Sequence, residues 1–163
     1  MRESLGWYKD QWLDIDKILI SANNRGLKFG DGIFETILIK KNKPILFDEH
    51  LKRLEKSSKL LDINLKINEL TLKKLINDGI RKLNLKKDQF ASVRINLSRG
   101  ANKGRTLKVN STLERKDSDN LWLEFFRIKP NFNPISVFIS QTEKRNEFSL
   151  ISCLLYTSDA ADE

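Results

Sequence analysis

Alternation of apolar and polar residues marks the strands of this chain. From Ile33 to Lys40, Ile33, Glu35, Ile37 and Ile39 share one face, and Phe34, Thr36, Leu38 and Lys40 share the other. Apolar residues on both faces predict a central strand covered on both sides. Glu35 on an otherwise apolar face is costly unless it is paired or adjoins a cavity. From Phe90 to Ser98, Ala91, Val93, Ile95 and Leu97 alternate with Ser92, Arg94, Asn96 and Ser98. Further strands are predicted at Leu121–Ile128 and Ile135–Ser140, with Pro130, Asn131, Asn133 and Pro134 turning between them. Near the start, Leu5-Gly6-Trp7-Tyr8 and Trp12-Leu13 read as a small hairpin around Lys9-Asp10-Gln11.

Helical spacing takes over twice. Leu51, Leu54, Ser58 and Leu61 predict a helix from Asp48 to about Leu61, with Asp48 at its N-cap. His50, Arg53 and Ser57 run along a flanking face of that helix. Asn68 can cap a second helix, whose apolar face is Leu72, Leu75, Ile76, Ile80 and Leu83. Asn84 suits its C-terminal end. Gly79 costs this helix about 1 kcal/mol relative to Ala, so packing must hold it. Ahead of the first helix, Lys41-Asn42-Lys43-Pro44 reads as a turn and Ile45–Phe47 as a short returning strand. Asn23 and Asn24 are turn residues, and Phe29-Gly30-Asp31-Gly32 is a glycine-rich turn.

Arg25, Gly26, Gly30, Asp31, Gly32, Phe34, Glu35 and Thr36 precede the hairpin; Asp48, Glu49, His50, Leu51, Arg53 and Leu54 follow it. In that order they resemble the N-terminal signature of the class IV aminotransferases. These fold-type IV pyridoxal phosphate (PLP) enzymes include branched-chain and D-amino-acid aminotransferases and aminodeoxychorismate lyases. Ser98-Arg99-Gly100, with Gly104-Arg105 beyond, resembles a second family pattern. Asn24 stands where many relatives carry an aspartate. The resemblance implies an α+β fold: an N-terminal α/β sandwich domain with a mainly antiparallel sheet and two helices, truncated before a second domain. Residues 1–140 would be that domain and 141–152 a linker.

The same resemblance distributes roles. Arg53 is implied as the ligand of the cofactor phosphate, for which a guanidinium fork on a packed helix is suited. The alternative is a surface arginine paired with Glu49 or Ser57. Phe34 matches a cofactor-pocket position, and is otherwise plain core. Arg99 and Arg105 match loop arginines that face a substrate carboxylate, and are otherwise parts of a solvated turn. Glu35 is either a substrate-site residue or the partner of a structural arginine such as Arg25. His50, the single histidine, reads as structural; no histidine triad or zinc site is supported.

Lys144-Arg145-Asn146-Glu147 resembles the segment that precedes the family's cofactor-bearing lysine. The positions where that lysine is expected hold Cys153, Leu154 and Leu155. None carries an amine. Residues 153–163 also break the Lys-, Asn- and Ile-rich composition before them and resemble translated adaptor read-through. The expectation is therefore an inactive N-terminal fragment. Its homodimeric parent would transaminate amino acids or eliminate pyruvate from aminodeoxychorismate.

Composition changes this picture little. The 163 residues carry a formal net charge of +8, spread through pairs such as Lys40-Lys41, Lys73-Lys74 and Lys86-Lys87. A basic surface can attract anionic substrates. It leaves a non-catalytic basic binding domain as the alternative, while nucleic-acid binding lacks a motif. Cys153 is the single cysteine, so no intramolecular disulfide forms. No apolar signal core opens the chain, and no apolar run approaches the roughly 20 residues that span a bilayer. A cytoplasmic protein is expected.

Overall fold

The computed structural model describes residues 3–101 and 120–137. Six strands, β1 (Ser4–Tyr8), β2 (Gln11–Leu13), β3 (Gly32–Lys40), β4 (Lys43–Pro44), β5 (Phe90–Ser98) and β6 (Asn120–Ile128), form one sheet in the order β2-β1-β6-β5-β3-β4. Every pairing is antiparallel. Two long helices, α2 (Phe47–Leu60) and α3 (Glu69–Leu83), pack on one face, and a short helix α1 (Arg25–Phe29) leads into β3. The result is a two-layer α+β unit with an antiparallel sheet, as the pattern implied.

The core lies between the layers. Ile33, Ile37 and Ile39 of β3, Val93, Ile95 and Leu97 of β5, and Leu123 and Phe125 of β6 meet Leu51 and Leu54 of α2 and Leu72, Ile76, Ile80 and Leu83 of α3. The alternation of β5 therefore delivers its apolar set to the helices. Gly79 also has its explanation here. A Cβ at that position would stand 2.3 Å from Cζ of Phe125, so the lost helix propensity is exchanged for contact with a buried ring.

Local chemistry sets most of the boundaries. The Asn68 side chain accepts from the Thr71 amide at 2.8 Å, and Asn84 ends α3 in the left-handed region at φ 51°. Lys9-Asp10 and Lys41-Asn42 form the two-residue hairpin turns, all four with positive φ.

Several expectations are corrected. The returning strand is Lys43–Pro44, not Ile45–Phe47, and Ile45 instead donates its amide to the Leu38 carbonyl at 2.8 Å. Asp48 lies in the first turn of α2, where its charge suits the helix dipole; the cap position is Leu46 at φ 52°, with no side-chain cap bond. Arg25–Phe29, read as the approach to a glycine-rich turn, is helical and closes on Gly30 at φ 63°. The strand β3 is next to the edge rather than central. Only Ile39 and Lys40 pair with β4, so Gly32–Ile37 has no strand on its outer side among the described residues. Its second face is only partly covered, with Phe34 buried and Thr36 and Leu38 half-buried. Ile135–Val137 is exposed and not a strand. The remainder of that expected strand, the polar connection before β6, Arg105, the 141–152 linker and residues 153–163 lie outside the described residues.

Candidate functional site

The alternation of β3 sends neighbouring residues to opposite faces, and two polar clusters and a cavity follow from it. Glu35 points toward the helices. His50 and Arg53 are three residues apart on the flank of α2, so both side chains come down over the same stretch of β3. Arg53 donates from Nε to Glu35 Oε1 and from Nη2 to Oε2, each at 2.6 Å. His50 Nδ1 lies 2.7 Å from Oε2. A carboxylate only accepts, so Nδ1 carries the proton and its 3.2 Å approach to Arg53 Nη2 is proximity rather than a bond. The Glu35 side chain is 2% exposed and that of Arg53 is 41% exposed. The acid is thus sealed beneath an arginine that reaches solvent.

The second cluster ties the α1–β3 turn to β5. Asp31 accepts from Arg25 Nε at 2.6 Å and from Arg99 Nε at 2.9 Å. Arg99 also donates from Nη1 to the Asp62 carbonyl at 2.7 Å and from Nη2 to the Leu61 carbonyl. It thereby fastens the turn to the end of α2. Backbone bonds reinforce the joint, from Arg25 to the Gly100 carbonyl at 2.7 Å and from Arg99 to the Asp31 carbonyl at 3.2 Å. Asn24 uses both ends of its amide. Its Oδ1 accepts from the Gly26 amide at 2.7 Å and its Nδ2 donates to Ser98 Oγ at 3.0 Å. Gly32 allows a close approach, since a Cβ there would stand 3.0 Å from the Leu97 carbonyl and the β5 backbone would have to give by a few tenths of an ångström.

The third feature lies on the face without long helices. A cavity of about 330 Å³ is lined by Leu27, Phe34, Arg94, Asn96, Ser98 and Trp122, among others. The Arg94 guanidinium lies 3.6 Å from the Phe34 ring centroid, and its Nε donates to Asn96 Oδ1 at 3.2 Å. Asn96 Nδ2 and Trp122 Nε1 both donate to Glu124 Oε1, at 3.3 and 2.6 Å.

This geometry sorts the sequence-derived candidates. Glu35 pairs with Arg53 and His50, not with Arg25, and its side chain is buried. Arg99 is pointed by the sequence at a carboxylate, but its guanidinium is engaged by protein acceptors. Arg53 and Phe34 lie on opposite faces of β3, and the cavity lined by Phe34 is not lined by Arg53. Arg94, Asn96 and Trp122 were not singled out by sequence reasoning. The available signal was polar residues at i and i+2 on the strand face that pairs with Phe34.

Comparison with known proteins gives these clusters a setting. Over 90 residues the chain is 33% identical to the aminodeoxychorismate lyase of Bacillus subtilis, covering 55% of this chain and 30% of that protein. The branched-chain amino acid aminotransferase of Escherichia coli shares the fold at a TM-score of 0.65 and 19% identity, over 77% of this chain and 40% of that one. A hypothetical aminotransferase from Mycobacterium tuberculosis, solved in a PLP-bound form, matches at a TM-score of 0.57 and 22% identity, over 75% and 39%. The chain thus spans well under half the length of these proteins. The amino-transferase class IV model matches residues 32–151, from the start of β3 through both long helices and the last three strand-forming stretches. With that match over most of its length, and with the turn, hairpin and helix that carry its two arginine clusters in the expected order, the chain belongs to the amino-transferase class IV family.

Proposed function

We propose that residues 1–140 are the N-terminal domain of a PLP-dependent aminotransferase or aminodeoxychorismate lyase-like enzyme, with 141–152 leading toward a second domain. Family membership, the lyase of Bacillus subtilis and the PLP-bound aminotransferase of Mycobacterium tuberculosis support the reading. The observation that carries it is Arg53. Its fork is fixed on the inner side by Glu35 while the side chain stays 41% exposed. A rigid guanidinium that reaches solvent fits a phosphate, because little freedom remains to be lost on binding.

In this reading Arg53 holds the cofactor phosphate, and Glu35 and His50 set its orientation. Phe34, on the other face of β3, would line the cofactor pocket. When bound, PLP supplies an electrophilic aldehyde and an aromatic ring that stores electrons. Arg25, Asp31 and Arg99 keep the turn and the end of β5 in register with that edge. Arg105 is proposed at the substrate carboxylate. The enzyme as a whole is proposed to act as a homodimer on an amino acid or aminodeoxychorismate. No observation favours the basic binding domain.

The 163 residues alone should show neither activity, because Cys153, Leu154 and Leu155 provide no amine where the lysine is expected. Incubation with PLP, borohydride reduction and peptide mapping test this. Low, scattered labelling at surface lysines such as Lys40, Lys73 and Lys86 is expected. One lysine labelled stoichiometrically, with an absorbance band that shifts on adding an amino acid, would contradict it.

A further inference from the structure

A groove of about 920 Å³ runs along the exposed side of α3. That helix lines it from Leu70 to Arg81, Asn84 and Leu85 line it beyond the helix end, and Asn42 lines it from the β3–β4 turn. It shares no lining residue with the Phe34 cavity and includes no member of either arginine cluster. At about 1.5 Å of rise per residue, the helical stretch from Leu70 to Arg81 is about 16 Å long. About five residues of extended chain, at roughly 3.3 Å each, cover that length.

The groove has a basic rim over an apolar floor. Ile80 and Leu85 are buried, while Leu70 is 78% exposed. Lys73 and Lys74 are exposed, and neither pairs with a carboxylate among the described residues. The Lys73 ammonium lies 5.7 Å from the centroid of the Phe47 ring, which orients it without neutralising it. Asp78 is the one acid among the described residues that line the groove, and Arg81 is bonded to it. Next along the chain come Lys41 and Lys43 beside Asn42, and Lys86 and Lys87 after Leu85, against the acids Glu69 and Asp88. Three carboxamides, Asn42, Asn77 and Asn84, complete the polar lining. Each offers both a donor and an acceptor, as a peptide backbone does, whereas a phosphate chain takes donors alone. No aromatic side chain lines the groove among the described residues, so a nucleic-acid base finds nothing to stack on.

We propose that this groove docks an extended acidic segment of a partner protein, its carboxylates against Lys73 and Lys74 and an apolar side chain against Leu70. The surface stands apart from the proposed cofactor site, and binding there needs no PLP. Fluorescence anisotropy on the 163-residue chain tests it with three labelled molecules: a short peptide alternating aspartate with leucine, the same peptide with asparagine for aspartate, and single-stranded oligothymidylate of equal charge. The acidic peptide should bind saturably, about ten-fold more tightly than either of the others, and should weaken as salt is raised. Lys73→Glu combined with Lys74→Glu should abolish that preference. Lys52→Glu combined with Lys56→Glu, the same change of charge on exposed positions of α2, should leave most of it. Leu70→Ser should weaken the acidic peptide without altering its salt dependence. If the doubly changed α3 variant alters the circular dichroism, Lys74→Gln alone should still reduce the preference. No saturable binding, equal binding of the two peptides, tighter binding of the oligonucleotide, or equal losses in the α3 and α2 variants overturns the proposal. So does a change in self-association, seen by light scattering without peptide, as the only effect of the α3 variant.

Discussion

Two arginine–carboxylate clusters flank β3, built from the same chemistry and differing in what they leave exposed. Around Asp31, two arginines converge on one acid, and their side chains are 8% and 14% exposed. Arg99 spends its remaining donors on the carbonyls that end α2. Around Glu35, one arginine and one histidine share a buried acid, and the arginine keeps 41% of its side chain in solvent. The first arrangement joins chain segments. The second presents a cation. Both belong to the family signature, so a motif match alone does not separate the two arrangements; their exposure does.

The largest effect that separates them is expected at Asp31. Asp31→Ala removes the carboxylate shared by two nearly buried guanidinium groups and should cost about 3–5 kcal/mol of stability in urea denaturation. A loss under about 1 kcal/mol would mean that the clasp is not structural. Glu35→Gln should cost less, about 1–3 kcal/mol, because the amide keeps one acceptor and Arg53 can rehydrate. It should also weaken binding of a phosphate-bearing cofactor analogue, since the fork loses its second anchor. Arg53→Lys retains the charge and should cost only about 0.5–1.5 kcal/mol while reducing that binding about ten-fold. Lys52→Ala, one residue away on the exposed side of α2, should stay within about 0.5 kcal/mol of the parent and leave analogue binding unchanged.

How much of this was legible beforehand depended on the range of the interaction. The bounds of β5 and the ends of α3 are readable because alternation from Ala91 to Leu97 and the caps Asn68 and Asn84 are local signals. The start of α2 is not. Pro44 suggests a turn and Asp48 a cap, yet the helix begins at Phe47, whose side chain is buried in the core, and Leu46 before it is left-handed. At the site, the alternation of β3 and the i, i+3 spacing of His50 and Arg53 were both visible. That they meet is a matter of how α2 crosses β3, which no local pattern encodes. Arg99 illustrates the converse. Its motif position was clear, while its partners Asp31, Leu61 and Asp62 come from two distant segments. The position of β3 near the sheet edge depends on strand order, which alternation does not specify.

The central claim is that Arg53 is the phosphate anchor, and it is most directly tested with deoxypyridoxine 5′-phosphate and deoxypyridoxine. Neither has an aldehyde, so neither reacts with surface lysines. Their dissociation constants should be measured for the parent chain, Arg53→Lys and Arg53→Gln, the last keeping a donor for Glu35 while removing the charge. The account predicts at least a ten-fold preference for the phosphorylated compound in the parent, about 1.4 kcal/mol. That preference should shrink in Arg53→Lys and vanish in Arg53→Gln. A parent chain that does not distinguish the two compounds, or a preference undiminished in Arg53→Gln, would contradict it.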